Sequence, residues 1–359
     1  MINLFQEKMD YDVCVVDRNG KRFIEEAVKT IKWGGDARQA ARKLEIECVN
    51  IPHVDIPLGS MFILYRSGAT PKEIIRTIAF SKSKGSNEKN ISYSSYDSRI
   101  YLLKNKHDRI FRNMTATEII EESCKTFGIP IGDLVDTGVK FPSLQLIDKT
   151  LWDMFVIALT ETRKVTGKRY ITKMIGGKLC LVEKVKQVRK WVLEEGVNIL
   201  DASYEESIED TKTQVKVVGK DKDKKPLIAV VKDDNMQKLY GIMQEYQQQS
   251  EATTQDHLNK IASQLLKELG KVSKSASLSC IGLDDVEAGD AVYVIERTTG
   301  LVGTFYVEND EHTVTNRFHS MNLKLAWTDE LPSIDYEPPA DDKTDKQSKT
   351  ENPIDWDSL

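Results

Sequence analysis

Residues 286–327 constrain the fold most strongly, because apolar and polar side chains alternate along them. The first alternating run is carried by Ala291, Tyr293 and Ile295, and a second follows at 304–307. A period of two residues is typical of strands with one buried face. Polar clusters interrupt the runs, and Gly289 precedes the first one, where glycine adopts a turn with positive φ at little cost. The stretch predicts three or four short antiparallel strands.

A second stretch with the same order lies nearer the N-terminus. An apolar run at 61–65 follows a Gly-Ser pair at 59–60, and predicted strands at 73–80 and 91–96 come after two polar turns. The order of strands and turns therefore occurs twice, which favours an internal duplication. Chance similarity between two unrelated β-meanders is the alternative that the residues leave open.

Composition limits the class of protein. The 359 residues suffice for two to four domains. The net charge of −5 argues against a general nucleic-acid coat protein. The sequence contains no run of 18 apolar residues and no basic-then-apolar N-terminal segment, so we expect neither a membrane span nor a signal peptide. The five isolated cysteines are expected to be buried, reduced thiols of a protein made in a cytosol.

The N-terminal segment predicts a hairpin followed by a helix. Two apolar runs, at 11–17 and 22–31, flank Asn19-Gly20, a dipeptide that favours tight hairpin turns. Gly34-Gly35 is interpreted as a tight turn, since it lacks the spacing of a phosphate-binding loop. Asp36 is expected to cap a short helix over 37–44.

The middle of the chain predicts a small α+β domain, and the segments after it predict strands and helices. Residues 114–127 and 151–166 show helical spacing of apolar side chains, and a hairpin is predicted over 170–182. Strands are expected at 203–209, 213–218 and 227–231. Residues 236–270 predict a helical excursion, with one helix through Tyr246 and a second from the N-cap Thr254 to Gly270.

No set of residues forms a recognisable catalytic, cofactor or metal site. The histidines lack metal-ligand spacing, and we expect His312 and His319, on either side of a predicted turn, to be satisfied core or surface residues. No nucleophile motif is present. Residues 331–359 predict a disordered tail, and its apolar end offers a candidate docking motif: Ile354, Trp356 and Leu359.

Four phrases, spread over residues 10–330, resemble one family. They are IKWGGD at 31–36 with QAARKL at 39–44, FRNMTATEI at 111–119, SIEDTKTQV at 207–215, and VEAGD at 286–290. The chain resembles the baseplate hub proteins of contractile phage tails and phage-tail-like bacteriocins, particularly the XkdQ/YqbQ type of PBSX-like prophages. It is more distantly similar to the late control protein D family and to the hub part of type VI spike proteins.

The resemblance implies a mainly β, α+β fold with two similar tube-type antiparallel β-barrels, a small α+β domain and a helical excursion. The expected domains are 1–109, 110–197, 198–330 with an insertion at 235–271, and the tail 331–359. It also implies a homotrimer that joins a six-fold tube to a three-fold spike. Candidate ring or tube contacts are Met61, Ile63, Ala291 and Tyr293.

The expected partners are the tail tube, spike, tape-measure and baseplate wedge proteins, with nucleic acid at most passing through the lumen. We expect synthesis in the bacterial cytoplasm and assembly into a phage tail or a headless bacteriocin. No enzymatic activity and no cofactor are expected. A cell-wall-associated tail protein, which binds or hydrolyses peptidoglycan, is the alternative function.

Overall fold

In a computed structural model of the chain, the described residues are 10–50, 55–85, 89–184 and 191–338. The chain divides into two compact units, Met1–Asp97 with Lys186–Leu331 and Ser98–Val185 with Pro332–Leu359. The expected domain limits after residues 109 and 197 remain predictions. The candidate docking residues Ile354, Trp356 and Leu359 lie outside the described residues.

The N-terminal part of the larger unit consists of strands joined by short turns. They are β1 (Tyr11–Asp17), β2 (Gly20–Phe23), β3 (Val28–Asp36), β4 (Lys43–Val49), β5 (Met61–Arg66), β6 (Lys72–Ser83) and β7 (Asn90–Tyr96). The hairpin at Asn19-Gly20 is confirmed. The helix expected over 37–44 is wrong, because Asp36 accepts a hydrogen bond from the Arg38 amide in a tight turn between two paired strands.

The smaller unit has helices that pack on short sheets. Its elements are α1 (Ile100–Lys104), β8 (Lys106–Phe111), β9 (Met114–Thr115), α2 (Ala116–Thr126), β10 (Ile131–Leu134), β11 (Lys140–Phe141), β12 (Leu144–Thr150), α3 (Leu151–Thr166), β13 (Tyr170–Ile175) and β14 (Lys178–Glu183). Thr115 and Thr150 form capping boxes at the starts of α2 and α3. Both predicted helices and the predicted hairpin are confirmed.

The C-terminal part of the larger unit returns to strands. Its elements are β15 (Trp191–Glu194), β16 (Ile199–Ser207), β17 (Gln214–Lys220), β18 (Pro226–Lys232), α4 (Asp234–Tyr240), β19 (Gln244–Ala252), α5 (Gln255–Leu269), β20 (Ser273–Ile281), β21 (Ala291–Glu296), β22 (Leu301–Thr315) and β23 (Phe318–Ala326). The helix expected to run through Tyr246 is wrong. Helix α4 ends at Tyr240, and Tyr246 lies in β19, which pairs with β17.

Two sets of six strands in the larger unit share one order of neighbouring strands. We call β1 with β3–β7 repeat 1, and β15 and β16 with β20–β23 repeat 2. With the strands of each repeat counted in chain order, the neighbours run first, fourth, fifth, sixth, third, second in both. The three-stranded module β17–β19 with α5 is inserted between the second and third strands of repeat 2. The internal duplication expected from the sequence is confirmed at the level of strand order. The repeats differ in the direction of the first strand, because β1 pairs antiparallel with β5, whereas β15 pairs parallel with β21.

The duplication extends to the irregularities of strand pairing. Between the second and third strands the register shifts at Val28/Thr30 in repeat 1 and at Ile199/Asp201 in repeat 2. Between the fifth and sixth strands it shifts after Ala79 in repeat 1 and after Val307 in repeat 2. Because a bulge displaces all later pairs by one residue, these shared shifts fix residue-by-residue equivalences between the repeats.

Each repeat has its own apolar core, and one sheet connects them. Fully buried side chains include Ile31, Phe62 and Tyr93 in repeat 1, and Leu278, Val294 and Met321 in repeat 2. The mainly β fold class is confirmed. Among the described strands the pairings form one 13-stranded sheet that runs through both repeats and branches at β22, and no pairing closes either repeat into a hydrogen-bonded ring of its own.

Candidate functional site

The two repeats are connected by one pair of strands, which we call the inter-repeat joint. It is formed by the C-terminal half of β22 and by β3, paired antiparallel from Asn309↔Asp36 to Thr315↔Thr30. Strand β22 is long enough for its N-terminal half to pair with β21 and its C-terminal half with β3. Repeat 2 thus uses its fifth strand to bind the second strand of repeat 1.

A glycine makes the close approach of these two strands possible. A Cβ atom on Gly34 would overlap the carbonyl oxygen of Asp310 on β22. The neighbouring Gly35 faces the side chain of Arg42, which lies against it. The Gly34-Gly35 pair therefore lies within a strand, where close packing needs the absence of side chains, and the sequence-based interpretation of a tight turn is wrong.

A buried ion pair stabilises the inter-repeat joint. Arg42 donates to both carboxylate oxygens of Asp310, with Nη1–Oδ1 at 2.8 Å and Nη2–Oδ2 at 2.6 Å. The side chain of Asp310 is 0% exposed, and that of Arg42 is 15% exposed. Asp310 also accepts a hydrogen bond of 2.7 Å from the Ala288 amide. Such bidentate pairs are strong and directional, so this contact fixes the register between the repeats.

Electrostatics keep this ion pair charged. Burial alone would raise the pKa of the Asp310 carboxyl, but Arg42 and His312 bring it down to about 2. Burial would likewise lower the pKa of Arg42, and the charge of Asp310 raises it above its usual value instead. Both groups are therefore charged at neutral pH, and each compensates the desolvation of the other.

An aromatic and histidine chain lies beside the ion pair. The Trp33 and His312 rings stack with centroids 4.8 Å apart and an interplanar angle of 5°. Nε2–H of His312 donates to the Val286 carbonyl at 2.9 Å, and its Nδ1 lies 3.1 Å from Nε2 of His319. The prediction that both histidines are satisfied core or surface residues agrees with these contacts, since both are hydrogen-bonded, His312 is fully buried and the His319 side chain is 10% exposed.

This series of side-chain contacts extends to Tyr11 on β1 of repeat 1. Nδ1 of His319 lies 2.8 Å from the Tyr11 hydroxyl, which donates to the Asp284 carboxylate. Burial, with the charge of His312 as the second cause, lowers the pKa of His319 from 6.5 to about 4. Burial and the hydrogen bond to Asp284 raise the pKa of Tyr11. The hydroxyl and the imidazole of this chain are thus held neutral at physiological pH.

This arrangement connects the two repeats of one chain. Its polar groups are buried, mutually hydrogen-bonded and spread over strands of both repeats. Among the described residues no group of three or more His, Cys, Asp or Glu side chains could hold a metal ion. No helix in the described part of the chain combines the length and hydropathy that a membrane crossing requires.

The sequence-predicted contact residues occupy equivalent positions in the two repeats. Met61 and Ile63 lie on β5, and Ala291 and Tyr293 lie on β21, the fourth strand of each repeat. Ile63 and Ala291 are buried, whereas Met61 and Tyr293 are partly exposed. The structure does not bring the two strands together, since β5 pairs with β1 and β6 and β21 pairs with β15 and β22.

Sequence reasoning missed the residues of the joint. Arg42 and Asp310 lie 268 positions apart. Arg42 belongs to the phrase QAARKL, which indicated no partner for it, and Asp310 lies outside the four phrases. The one signal that could have drawn attention to them is Gly34-Gly35 directly after an apolar strand, which indicates a close backbone approach as well as a turn.

Comparison with known proteins places these features in a family. The YQBQ-like family model matches residues 31–326. YqbQ of Bacillus subtilis (strain 168), an uncharacterized protein, is 32% identical over 263 residues, which cover 73% of this chain and 80% of YqbQ. The phage-like element PBSX protein XkdQ of the same strain is 29% identical over 316 residues, 86% of this chain and 95% of XkdQ.

Solved structures share the fold at low sequence identity. The 43 kDa tail protein of prophage MuSo2 from Shewanella oneidensis has a TM-score of 0.63 at 16% identity, with 88% of this chain and 98% of that chain covered. The tail protein of Neisseria meningitidis MC58 has a TM-score of 0.60 at 14% identity, with coverage of 88% and 96%. A chain of the half-lidded Francisella PdpA-VgrG complex has a TM-score of 0.54 at 9% identity, with coverage of 92% and 60%.

Proposed function

Because the chain belongs to the YQBQ-like family, we propose that it is a structural hub protein in the baseplate of a contractile phage tail or related particle. It joins the hexameric tail tube to the trimeric central spike and has no catalytic role. The fold that it shares with prophage tail proteins supports a place in the tail. The relationship to a phage-like element protein supports the same class of particle.

The single observation that carries the hub role is the duplicated topology with its shared bulges. A homotrimer of such a chain displays six copies of nearly the same six-stranded surface. A six-fold tube can bind these six copies, while the rest of the trimer offers three equal sites to a spike. The ion pair at the joint supports this role, because it holds the two repeats of one chain in a fixed register.

The four predicted residues on the fourth strands are the candidate contacts with the ring or the tube. In the aligned strands β5 and β21, the partly exposed Met61 is the counterpart of the buried Ala291, and the buried Ile63 is the counterpart of the partly exposed Tyr293. Equivalent positions would be presented six times by a trimer, which is what a six-fold tube protein requires. The apolar tail residues Ile354, Trp356 and Leu359 are proposed as a docking segment for a further baseplate protein.

The test measures whether tail tubes attach to the particles when the gene for this chain is deleted. Deleting the gene should leave particles without attached tubes, and complementation with the wild-type chain should restore them, as counted by negative-stain electron microscopy. Native mass spectrometry of the purified chain, alone and with the tail tube protein, should give three chains per assembly. Normal tubes in the deletion strain, or muropeptide release from peptidoglycan by the purified chain, would refute the structural hub.

A further inference from the structure

A short segment after the last strand is docked on the smaller unit, which includes the chain from Pro332 onward. The side chains of Ile334 and Tyr336 pack against the apolar core of that unit. Both are partly buried, whereas the residues beside them, at 333, 335 and 337, are exposed. Burial of every second residue is typical of an extended segment with one side on a surface, so these two side chains are its anchors.

Backbone contacts with helix α3 fix the position of this segment. The Ile334 amide donates to the Thr160 hydroxyl at 3.3 Å, and the Tyr336 amide donates to Oε1 of Glu161 at 3.2 Å. Every residue except proline carries such an amide. These two contacts therefore do not depend on which side chains the docked segment carries.

The side-chain contacts of the segment select a pattern of residue types. Nζ of Lys164 lies 2.8 Å from the carboxylate of Asp335, which stands between the two anchors. The hydroxyl of Tyr336 accepts a hydrogen bond of 3.1 Å from the Gln145 amide on β12. We call the surface of α3 and β12 that makes these contacts the docking face. It is suited to an aliphatic residue, an acid and an aromatic residue in a row.

The same pattern occurs a second time in the chain, twenty residues later. The sequence reads IDYE at 334–337, the first motif, and IDWD at 354–357, the second motif. The second motif lies outside the described residues. Residues 338–353 between the motifs contain no Ile, Leu, Val, Met, Phe, Tyr or Trp. The second motif is therefore the next segment of the chain that offers the same two anchors and the same acid.

We propose that the docking face also binds the second motif of the same chain, in exchange for the first. Ile354 and Trp356 then take the two anchor positions, and Asp355 pairs with Lys164. The alternation of apolar and acidic residues in the second motif matches the apolar core beneath the face and the lysine at its rim. This inference goes beyond the hub function and does not depend on it.

One difference between the motifs decides which of them occupies the face at rest. The Tyr336 hydroxyl accepts the hydrogen bond from the Gln145 amide, but the indole N–H of Trp356 is a donor and cannot accept one. Docking of the second motif therefore leaves this amide without its partner, and an unmade hydrogen bond costs free energy. The first motif is thus the preferred occupant, and the second replaces it when the first is removed.

Exchange of the motifs changes the length of chain between β23 and its anchor. Strand β23 ends at Ala326, so this connection consists of residues 327–333 with the first motif bound and of residues 327–353 with the second. The cost of closing a loop grows only slowly with its length, so both connections are accessible. While the first motif is bound, the second is available to a further protein.

Photo-cross-linking of the full-length chain tests the exchange. p-Benzoylphenylalanine is placed at Asp357, because its counterpart Glu337 is exposed and both anchors of the second motif are kept. After irradiation, the cross-linked peptides are mapped by mass spectrometry. We expect few cross-links to residues 144–166 of β12 and α3 while the first motif is intact. In Ile334→Ser/Tyr336→Ser they should increase about 5-fold, which is the preference that one hydrogen bond gives the first motif.

A variant that leaves the first motif intact provides an independent measurement. Trp356→Tyr gives the second motif the hydroxyl that accepts from the Gln145 amide, so the two motifs should share the face. Cross-links to residues 144–166 should then increase about 3-fold over the chain with Trp356. This variant alters no residue of the described structure, so its folding is not in question.

Two control chains show whether the second motif itself is recognised. Adding Ile354→Ser/Trp356→Ser to the chain without the first anchors should abolish the cross-links to residues 144–166. With the photo-reactive residue at Gln347 instead, between the motifs, the docking face should be labelled no more than the rest of the chain.

The outcomes separate this inference from the hub function. Cross-links that concentrate on residues 144–166 and increase in both test variants would support the exchange. No enrichment there, or enrichment that persists without Ile354 and Trp356, would overturn it. Cross-links that join two chains would assign the second motif to a neighbouring copy and would overturn exchange within one chain. Each of these results leaves the attachment of tail tubes, and with it the hub function, as a separate question.

Discussion

Removing Arg42 should destabilise the joint between the repeats far more than removing an exposed arginine elsewhere. Arg42→Ala leaves the fully buried Asp310 carboxylate with an amide donor but no cation. The pKa of Asp310 is lowered from 3.8 to about 2, and at about 1.4 kcal/mol per unit this corresponds to about 2 kcal/mol of stabilisation at neutral pH. Uncompensated burial raises the expected loss to about 3 kcal/mol.

The pH dependence of this loss has a defined sign. In the wild-type chain the stabilisation from Asp310 is present above the unfolded pKa of 3.8 and is lost as the pH falls toward 2. In Arg42→Ala, burial without the cation raises the pKa of Asp310, so the carboxyl becomes neutral on acidification. The difference in stability between wild type and variant should therefore be largest near pH 7 and should shrink as the pH is lowered.

Hydrogen exchange read by mass spectrometry on peptides of β3 and β22 measures this stability locally. A loss of about 3 kcal/mol speeds exchange about 100-fold where exchange follows the opening equilibrium. Arg109→Ala is the matched control, because Arg109 also contacts a carboxylate through two nitrogens but is 39% exposed. It should lose at most about 1 kcal/mol. Equal losses in the two variants would refute the reasoning.

Three further predictions follow from the same structure. Gly34→Ala should destabilise the joint by about 1–3 kcal/mol through overpacking, because its Cβ would overlap the Asp310 carbonyl; unchanged exchange in β3 would contradict this. The pKa of His319 is lowered to about 4 by burial first and His312 second, so its stabilisation is present above pH 6.5 and lost as the pH falls toward 4. In His319→Gln the midpoint of urea unfolding should depend less on pH between pH 7 and 4.5 than in the wild-type chain. An unchanged pH dependence would count against this role of His319. Burial raises the thiol pKa values of Cys48, Cys124 and Cys280 to about 12, so alkylation at pH 8 should modify these thiols only after denaturation. Fast alkylation of the native chain at these cysteines would contradict their burial.

Local chemistry was sufficient for the elements that depend on neighbours in sequence. The capping boxes at Thr115 and Thr150, the left-handed Gly167 after α3 and the Asn19-Gly20 hairpin all act within a few residues. Their positions were therefore predictable from the amino-acid sequence.

Where local conformational preference competes with strand pairing, the predictions from the sequence were wrong. Tyr246 has helical spacing with the preceding apolar residues, but it lies in β19 because that strand pairs parallel with β17. Asp36 has the chemistry of a helix cap, but its two flanking strands pair with each other and leave room only for a turn.

The sequence by itself determined that the chain is mainly β and that a meander occurs twice, because alternation and turn residues are local and repeat along the chain. Only the tertiary structure decided how the two copies connect. The pairing of β3 with β22 and the ion pair between Arg42 and Asp310 both depend on residues far apart in sequence. Contacts of that kind form only when distant strands pair in the assembled sheet, and no short segment determines them.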